Sequence, residues 1–501
     1  MKDFDTYFKE TGEIGYVESI ISSIFYVSGL PNVRLGELVI TENGLIGIVK
    51  TILEDLVEVM VFEGQTLLHK MKVVRTNEYF QVPVSNAFLG RVINPFGVAQ
   101  DNLEPILEHE LTYRPVDPPA PGISQRVRIK RFFETGVMAV DLLIPLGYGQ
   151  RELVLGDAKT GKTTFVLQTI VNQANHGTIC VYVSCGKKKS DLKFVESYLK
   201  EMNVFAQVVI VAASSSDPAP MVYLAPLAGL SIAEHFRDQG REVAVIIDDM
   251  TTHAKFYREI ALLSRRPPGR QSYPGDIFHI HAKIAERAGN IMLENGSEAS
   301  ITFLPVAETL EGDLSGYIQT NLMAMTDGHL FYDVDQVKKG VLPAVSFTLS
   351  VSRVGNQTKT PLEREIAGNL TLRLAQARKA EELGRFGVEL TAETMKAIEN
   401  AARIEALFKQ DAKMIIPKNA QIILAGLFIV GFWDKSRQFE IHRDKKLLLA
   451  AYTQGHLDKL RLKIDNTASL GSLCDLIKKE IAGIKILLGA QDKNELLTSS
   501  A

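Results

Sequence analysis

Along residues 1–82, short runs rich in β-branched and aromatic side chains recur: "YVESIISSIFYVSGL", "ELVITENGLIGIVKTIL", "LVEVMVFEG" and "KMKVVRT". Gly, Asn and Pro punctuate them, and this spacing predicts a small antiparallel barrel or sandwich. The proline-rich "PVDPPAPGIS", Pro115–Ser124, predicts a connector without helix. From Glu152 the pattern changes to continuous apolar runs alternating with helical stretches: "RELVLG", "TICVYVSC", "VVIVAAS", "EVAVIIDD" and "SITFLPVAE". Strands apolar on both faces predict a parallel sheet covered by helices on each side. Beyond Pro361, "LEREIAGNLTLRLAQARKAEELGRFG" and "TAETMKAIENAARIEALFKQD" carry helical periodicity. The expectation is an α/β multi-domain chain: an N-terminal β domain over 1–82, a central α/β domain over 83–362 and a C-terminal α-helical domain over 363–501.

Composition narrows the field. The chain has 501 residues, 46% apolar and 23% charged, with a formal net charge of −3. No overall field draws it to nucleic acid or acidic lipid. Its three cysteines, Cys180, Cys185 and Cys474, suggest neither a disulfide framework nor a metal set. The N-terminus reads as neither signal nor transit peptide. The longest apolar run, "IILAGLFIVGFW" (Ile422–Trp433), is too short to span a bilayer and reads as a buried helix. Membrane association is therefore expected only through partners.

The candidate chemistry lies in "GDAKTGKTTF", Gly156–Phe165. Gly156, Gly161, Lys162 and Thr163 match G-x-x-x-x-G-K-[ST] between an expected strand and an expected helix. The glycines let backbone amides wrap a phosphate, and the helix N-terminus adds partial positive charge. Lys162 would reach the outer phosphates of ATP and Thr163 would bind Mg²⁺. Asp157, Ala158, Lys159, Thr160 and Thr164 complete the nucleotide-binding loop. "VAVIIDD", Val243–Asp249, ends a strand on two aspartates; Asp248 is the candidate to hold Mg²⁺ through water.

Hydrolysis also needs a group to orient water. "SCGKKKS", Ser184–Ser190, offers Lys187, Lys188 and Lys189 after the strand where that group belongs. A protonated lysine has no acceptor lone pair. Neutralising one at pH 7 takes a pKa fall of about 3 units, or about 4 kcal/mol. The run reads equally as a solvated basic turn or as a phosphate contact. Either way, the base is missing.

The residues then resemble a family, the alpha subunits of F-type rotary ATP synthases. The likeness runs through "GQRELVLGDAKTGKTT", "SDPAPMVYLAPLAGLSIAEHFRDQGREVAVIIDDM", "LSRRPPGRQSYPGDIFHIHAKIAERAG", "GDLSGYIQTNLMAMTDGHLF" and "LSVSRVG". "SGLPNVRLGELV" and "LGRVINPFG" extend it into the N-terminal part. The resemblance implies a β-barrel, a RecA-like P-loop domain and a helical domain. It implies a hexamer alternating with catalytic beta-type subunits around a gamma-type shaft, with delta-type and peripheral-stalk partners. The complex would be peripheral, on the cytoplasmic side of the plasma membrane, and would couple ATP synthesis or hydrolysis to proton or sodium transport. The chain itself would hold ATP or ADP with Mg²⁺ without turnover. Arg353, in "SVSRVG", would act as an arginine finger in the neighbour's catalytic site. Pro343 and Gln410 would contact nucleotide. The proline-rich "RRPPGRQSYPGD", Arg265–Asp276, would line the sleeve around the shaft.

Several positions depart from the family pattern. Ala158 and Lys159 replace Arg and Gln of "GDRQTGKT", Lys187 replaces the Gln of "IGQKRS", Leu342 replaces Arg before Pro343, and Ala412 replaces the second Gln of "KQxQ". Two readings follow: the site retains nucleotide with altered contacts, or its affinity is falling. The segment before "GYVESI" is also shorter than the family's usual delta-contacting extension. Two other classes compete. A self-sufficient ATPase such as a protein-export motor would need a carboxylate at Lys187. A nucleic-acid translocase would need basic and aromatic groups on the barrel, which instead carries Glu13, Glu18, Glu37, Glu42, Glu54, Asp55, Glu58 and Glu63.

Overall fold

The computed structural model describes residues 3–62, 67–385 and 391–498. In chain order it contains a closed six-strand barrel, an α/β sheet and an array of helices. The chain divides into two compact units. The first takes the described residues up to Arg128, Gly149–Leu155 and Gln173–Thr326; the second takes Ile129–Tyr148, Gly156–Asn172 and the described residues from Asp327.

In the first unit the barrel strands are β1 (Gly15–Ile21), β2 (Ile24–Ser28), β3 (Glu37–Thr41), β4 (Ile46–Ile52), β5 (Val57–Val61) and β6 (Lys72–Tyr79). They close in the order β1-β2-β5-β4-β3-β6. Val17, Phe25, Val27, Val39, Val49, Val59 and Val73 fill the interior; branched side chains suit a pleated, enclosed surface. Gly47 is needed here, because a Cβ would lie 2.3 Å from Val59 Cγ1. Part of the barrel's acidity turns out to be internal. Arg75 binds Glu37 at 2.9 Å and Glu13 at 3.3 Å, and buried Glu58 receives Ser264 and Arg266 at 3.1 and 3.2 Å, while Lys70 binds Glu18 at the surface at 2.6 Å.

The sheet strands of this unit lie in the order Glu152–Gly156, Glu298–Glu308, Val243–Asp248, Ile179–Lys187, Val208–Ser214 and Arg91–Ile93. From Glu298–Glu308 to Arg91–Ile93 the neighbours pair in parallel. Every residue of Val243–Asp248 and Val208–Ser214 is buried, as the two-sided apolar runs predict. The Pro115–Ser124 connector departs slightly from expectation: a single 3-10 turn begins at Ile123, with Gln125 accepting from Gly122 N at 3.0 Å.

The second unit holds the helices Pro361–Arg385, Ala392–Phe408, Lys418–Ile429, Gln438–Thr453, Asp458–Asp465 and Leu470–Thr498. Thr391 caps the second of these, accepting from Thr394 N. Lys418–Ile429 is the buried helix expected from its apolar run; Ala420–Phe428 are all buried. Leu407, Ile423, Leu427, Trp433, Ile441, Leu448, Leu473 and Ile477 share one core. Two ionisable groups are sealed beside it. Asp444 accepts from Trp433 Nε1 at 3.0 Å, and Lys445 donates to Leu407 O at 2.8 Å and to Lys409 O. No helix among the described residues is long and apolar enough to cross a membrane.

Candidate functional site

The phosphate loop belongs to the second unit. It follows the strand ending at Gly156 and opens the helix Lys162–Asn175. Gly156 (φ 154°) and Gly161 (φ 100°) adopt conformations closed to other residues. A Cβ on Gly156 would also lie 2.4 Å from Tyr332 O. Lys159 sits in the left-handed region at φ 64°. Lys159 and Ala158, two of the departures, are exposed at the tip, while Asp157, Thr163 and Thr164 are half-buried. Buried Lys162 donates to Gly156 O and Asp157 O, both at 2.6 Å, and Thr160 Oγ1 donates to Asp157 O at 2.8 Å. The loop's own polar groups hold its curvature.

The same unit brings Gln410 and the Leu342–Pro343 segment together. Gln410 N donates to Leu342 O at 2.9 Å, and the Leu342–Pro343 peptide is cis. Gln168, on the phosphate-loop helix, donates to Asp411 O and Met414 O at 3.0 Å. Gln410 is more committed than the sequence suggests. Its amide nitrogen donates to Gly136 O and Met414 O, each at 2.7 Å, and its oxygen accepts from Met138 N at 3.2 Å. Both amide donors are used; one lone pair on the oxygen is left for a ligand.

Arg353 follows the strand Val351–Ser352, which pairs with Gly328–Tyr332. Its backbone is pinned: Arg353 N donates to Asp327 O at 3.0 Å, Ser352 Oγ donates to Pro145 O at 2.7 Å, and Gly355 N donates to Ser352 Oγ at 3.2 Å. A Cβ on Gly355 would lie 1.6 Å from Pro145 O, so only glycine allows this turn. The Arg353 side chain is exposed and has no hydrogen-bond or ion-pair partner among the described residues.

In the first unit, Asp248 ends its strand with the carboxylate buried. The neighbouring strand pairs Ser184 with Asp248, and against its other neighbour, Val208–Ser214, its register slips by one residue between Cys185 and Lys187. Gly186 supplies the slip at φ 66°, where a Cβ would also meet Phe256 at 2.6 Å. Lys187 Nζ then lies 2.6 Å from Asp248 Oδ2. Tyr182 donates its hydroxyl to the same oxygen at 2.7 Å. Burial by itself would lower the Lys187 pKa, but Asp248, Asp249 and Glu308 outweigh it and the net shift is upward. Lys187 is thus held as an ammonium. Asp249 caps the next helix by accepting from Thr252 N at 2.5 Å; burial, then the Asp248 charge, raises it to about 6. Lys188 and Lys189 are exposed. The lysine run therefore splits, and its first member is an internal partner, neither a solvated turn nor a free phosphate contact.

This arrangement bears on Mg²⁺. The carboxylate expected to face it is already met by an ammonium and a phenol on one oxygen. A divalent cation would confront that ammonium as a like charge, so the Asp248 donor set as it stands does not fit the ion. Thr163, the other residue expected to meet the ion, is half-buried in the first turn of the helix Lys162–Asn175.

Comparison with known proteins bears on the whole chain. The model of the ATP synthase alpha/beta family, nucleotide-binding domain, matches residues 136–352, and that of the ATP synthase alpha/beta chain, C terminal domain, matches 357–482. Relatives described as ATP synthase subunit alpha include that of Dictyoglomus turgidum, 41% identical over 87% of this chain and 85% of the relative. That of Neorickettsia sennetsu is 38% identical over 95% of this chain and 94% of the relative. Phosphate loop, parallel sheet, helical domain and these likenesses agree: the chain belongs to the ATP synthase alpha/beta family, as a divergent member of its alpha-subunit branch.

Proposed function

We propose that this chain is a nucleotide-binding, non-catalytic alpha-type subunit in the ring of a rotary ATP synthase or ATPase. It alternates with catalytic beta-type subunits around a gamma-type shaft, with delta-type and peripheral-stalk subunits as further partners. The assembly couples ATP synthesis or hydrolysis to proton or sodium transport, at the cytoplasmic side of the plasma membrane. ATP or ADP binds at Gly156–Thr164, with Pro343 and Gln410 contributing and Thr163 offering the hydroxyl for Mg²⁺. The sequence assigns Asp248 to the same ion. Domain limits of 1–82, 83–362 and 363–501 are part of this reading.

The observation that carries the non-catalytic part is the Lys187–Asp248 ion pair at 2.6 Å. A self-sufficient motor needs a carboxylate at Lys187; an ammonium bound to an aspartate cannot accept a proton from water. Catalysis in trans is supported by Arg353, whose backbone is fixed while its guanidinium has no hydrogen-bond or ion-pair partner among the described residues. That planar fork suits the charge developing on a transferring phosphoryl group.

The test is Arg353→Ala in the purified complex. Loss of an arginine finger lowers turnover by about 10³–10⁵-fold. Because the side chain is exposed and makes no hydrogen bond or ion pair among the described residues, the thermal unfolding of the isolated chain should stay within about 0.5 kcal/mol of wild type. Unchanged complex turnover, or rapid hydrolysis by the isolated chain, would overturn the proposal.

A further inference from the structure

We infer that a small organic oxyanion, a phosphate ester or a carboxylate with an apolar body, binds in a cleft lined by the proline-rich connector and the hairpin after Gly289–Met292, with Arg114 and Arg237 receiving its charged head. The cleft lies wholly within the first unit and is independent of the nucleotide-binding reading.

The cleft has a volume of about 700 Å³. Pro118, Pro119, Pro121, Ile291 and Leu293 give it an apolar lining. Prolines fix their own φ, so much of that lining is formed before a ligand arrives. Arg114 stands on the strand Thr112–Pro115, and Arg237 in the last turn of the helix Ala219–Asp238. Both grip one carboxylate. Arg237 Nε and Nη2 donate to Asp238 Oδ1 at 2.9 and 2.7 Å, and Arg114 Nη2 donates to Asp238 Oδ2. The remaining nitrogen of each fork, Nη1, is buried with no acceptor among the described residues. Arg237 itself is only 8% exposed. Buried donors are nearly always paired, and an orphaned one marks where an ion or water belongs. Two orphans on arginines that share a carboxylate call for an acceptor with several lone pairs and a negative charge, which phosphate and carboxylate both supply.

Charge points the same way. Glu234 also lines the cleft, but Arg287 matches it at 2.8 Å. Asp238 is left to answer two guanidinium groups alone, and one positive charge stays uncompensated. His235, beside the pair, registers that excess: burial first and then Arg114 hold it below its ordinary pKa, against the pull of Asp238. Glu294 and Asn295 stand on the exposed hairpin turn, where water and salt screen the glutamate. Arg114, with 31% of its side chain exposed, is the movable member. Its fork turns to meet the anion, a rotamer change of the kind common on binding.

The experiment is isothermal titration calorimetry of the full-length chain with phenyl phosphate, benzoate and inorganic phosphate. Phenyl phosphate and benzoate separate the two head groups. Inorganic phosphate lacks the apolar body and should bind at least about tenfold more weakly than phenyl phosphate. Arg114→Gln, at a partly exposed position, should lose about tenfold or more in affinity for the organic anion that binds. Asp238→Asn frees both forks from the competing carboxylate and should tighten binding by about tenfold, a gain that a purely structural role for the arginines does not give. Lys162→Ala tells this cleft from the phosphate loop and should leave the affinity within about twofold. Absence of binding by both phenyl phosphate and benzoate overturns the inference. So does Arg114→Gln binding as tightly as wild type, no gain in Asp238→Asn, or affinity lost in Lys162→Ala, which would move the anion to the phosphate loop. Inorganic phosphate binding as tightly as phenyl phosphate overturns the part given to the apolar lining.

Discussion

Lys445 gives a stability prediction whose sign reverses with pH. Its side chain is fully buried on the helix Gln438–Thr453, with the nitrogen donating to Leu407 O at 2.8 Å and to Lys409 O. Two carbonyl acceptors match the two hydrogens of a neutral amine. Burial is the main force on this group; Asp411 pulls the other way and Lys446 and Lys409 add repulsion, and the pKa falls from 10.5 to about 7. Between pH 7 and 10.5 the unfolded chain binds this proton and the folded chain does not. Stability therefore rises with pH through that window by about 1.4 kcal/mol per unit. At pH 7.5 the wild type carries a penalty of about 4 kcal/mol, falling to about 1.4 kcal/mol at pH 9.5. Lys445→Met removes the penalty but strands two carbonyls, at a cost of about 1–3 kcal/mol. The variant should be the more stable at pH 7.5, lose that advantage as pH rises, and be equal or less stable by about pH 9.5. Trp433, the single tryptophan, is buried in the same core and bonded to Asp444. Urea unfolding followed by its fluorescence reads this region directly. Lys359, lowered by burial to about 8, adds its own slope to both proteins and cancels in the difference. A wild type–variant gap that stays constant from pH 7.5 to 9.5 would refute the reasoning.

Two further predictions concern the first unit. Arg287, 1% exposed, binds Glu234 through two parallel bonds of 2.9 and 2.8 Å and also donates to Ser231, Val116 O and Leu227 O. Arg287→Met should destabilise by about 3–5 kcal/mol by leaving a buried carboxylate alone, and adding Glu234→Leu should recover much of it; amide exchange along Ala219–Asp238 measures both, and a mild single variant would contradict the argument. His253 accepts from or donates to His281 at 3.2 Å and reaches Tyr223 O at 3.2 Å; burial, against the Tyr223 carbonyl, lowers it to about 4. The unfolded chain takes up this proton first as pH falls, so stability drops between about pH 6.5 and 4, and His253→Gln should reduce that slope by about 1.4 kcal/mol per unit. Exchange of the Met250–Leu263 amides, unchanged in slope, would count against it.

The central strands were legible because strands buried on both faces must be apolar throughout, and "VAVIID" and "VVIVAAS" leave no room for another element. The phosphate loop was legible because Gly156 and Gly161 have one steric task each. The fate of Lys187 was not. Which face it occupies depends on the single-residue slip at Gly186, and a slip of one residue exchanges the two faces of a strand. Sequence offered one hint: a glycine directly before the first lysine of the run. Gln410 shows the opposite difficulty. The family resemblance implied a ligand contact for it, whereas most of its hydrogen bonds fasten Gly136, Met138 and Met414. The barrel's acidic residues argued against nucleic-acid binding, but the sequence did not show that Glu37 and Glu58 are buried, paired with Arg75 and Arg266 from distant parts of the chain.

Arg353 stands on a turn held by its own amide on Asp327 O and by the Ser352 hydroxyl on Pro145 O, a turn that Gly355 alone can close. On the proposed reading this makes timing a matter of mechanics. A guanidinium on a flexible loop could reach a neighbour's phosphate by its own thermal excursions, at any moment. One fastened at its root has only the swing of its side chain, so its arrival depends on how far the body carrying it has travelled. The tight turn would then act as a clutch, engaging chemistry next door only when the surrounding ring has completed its stroke.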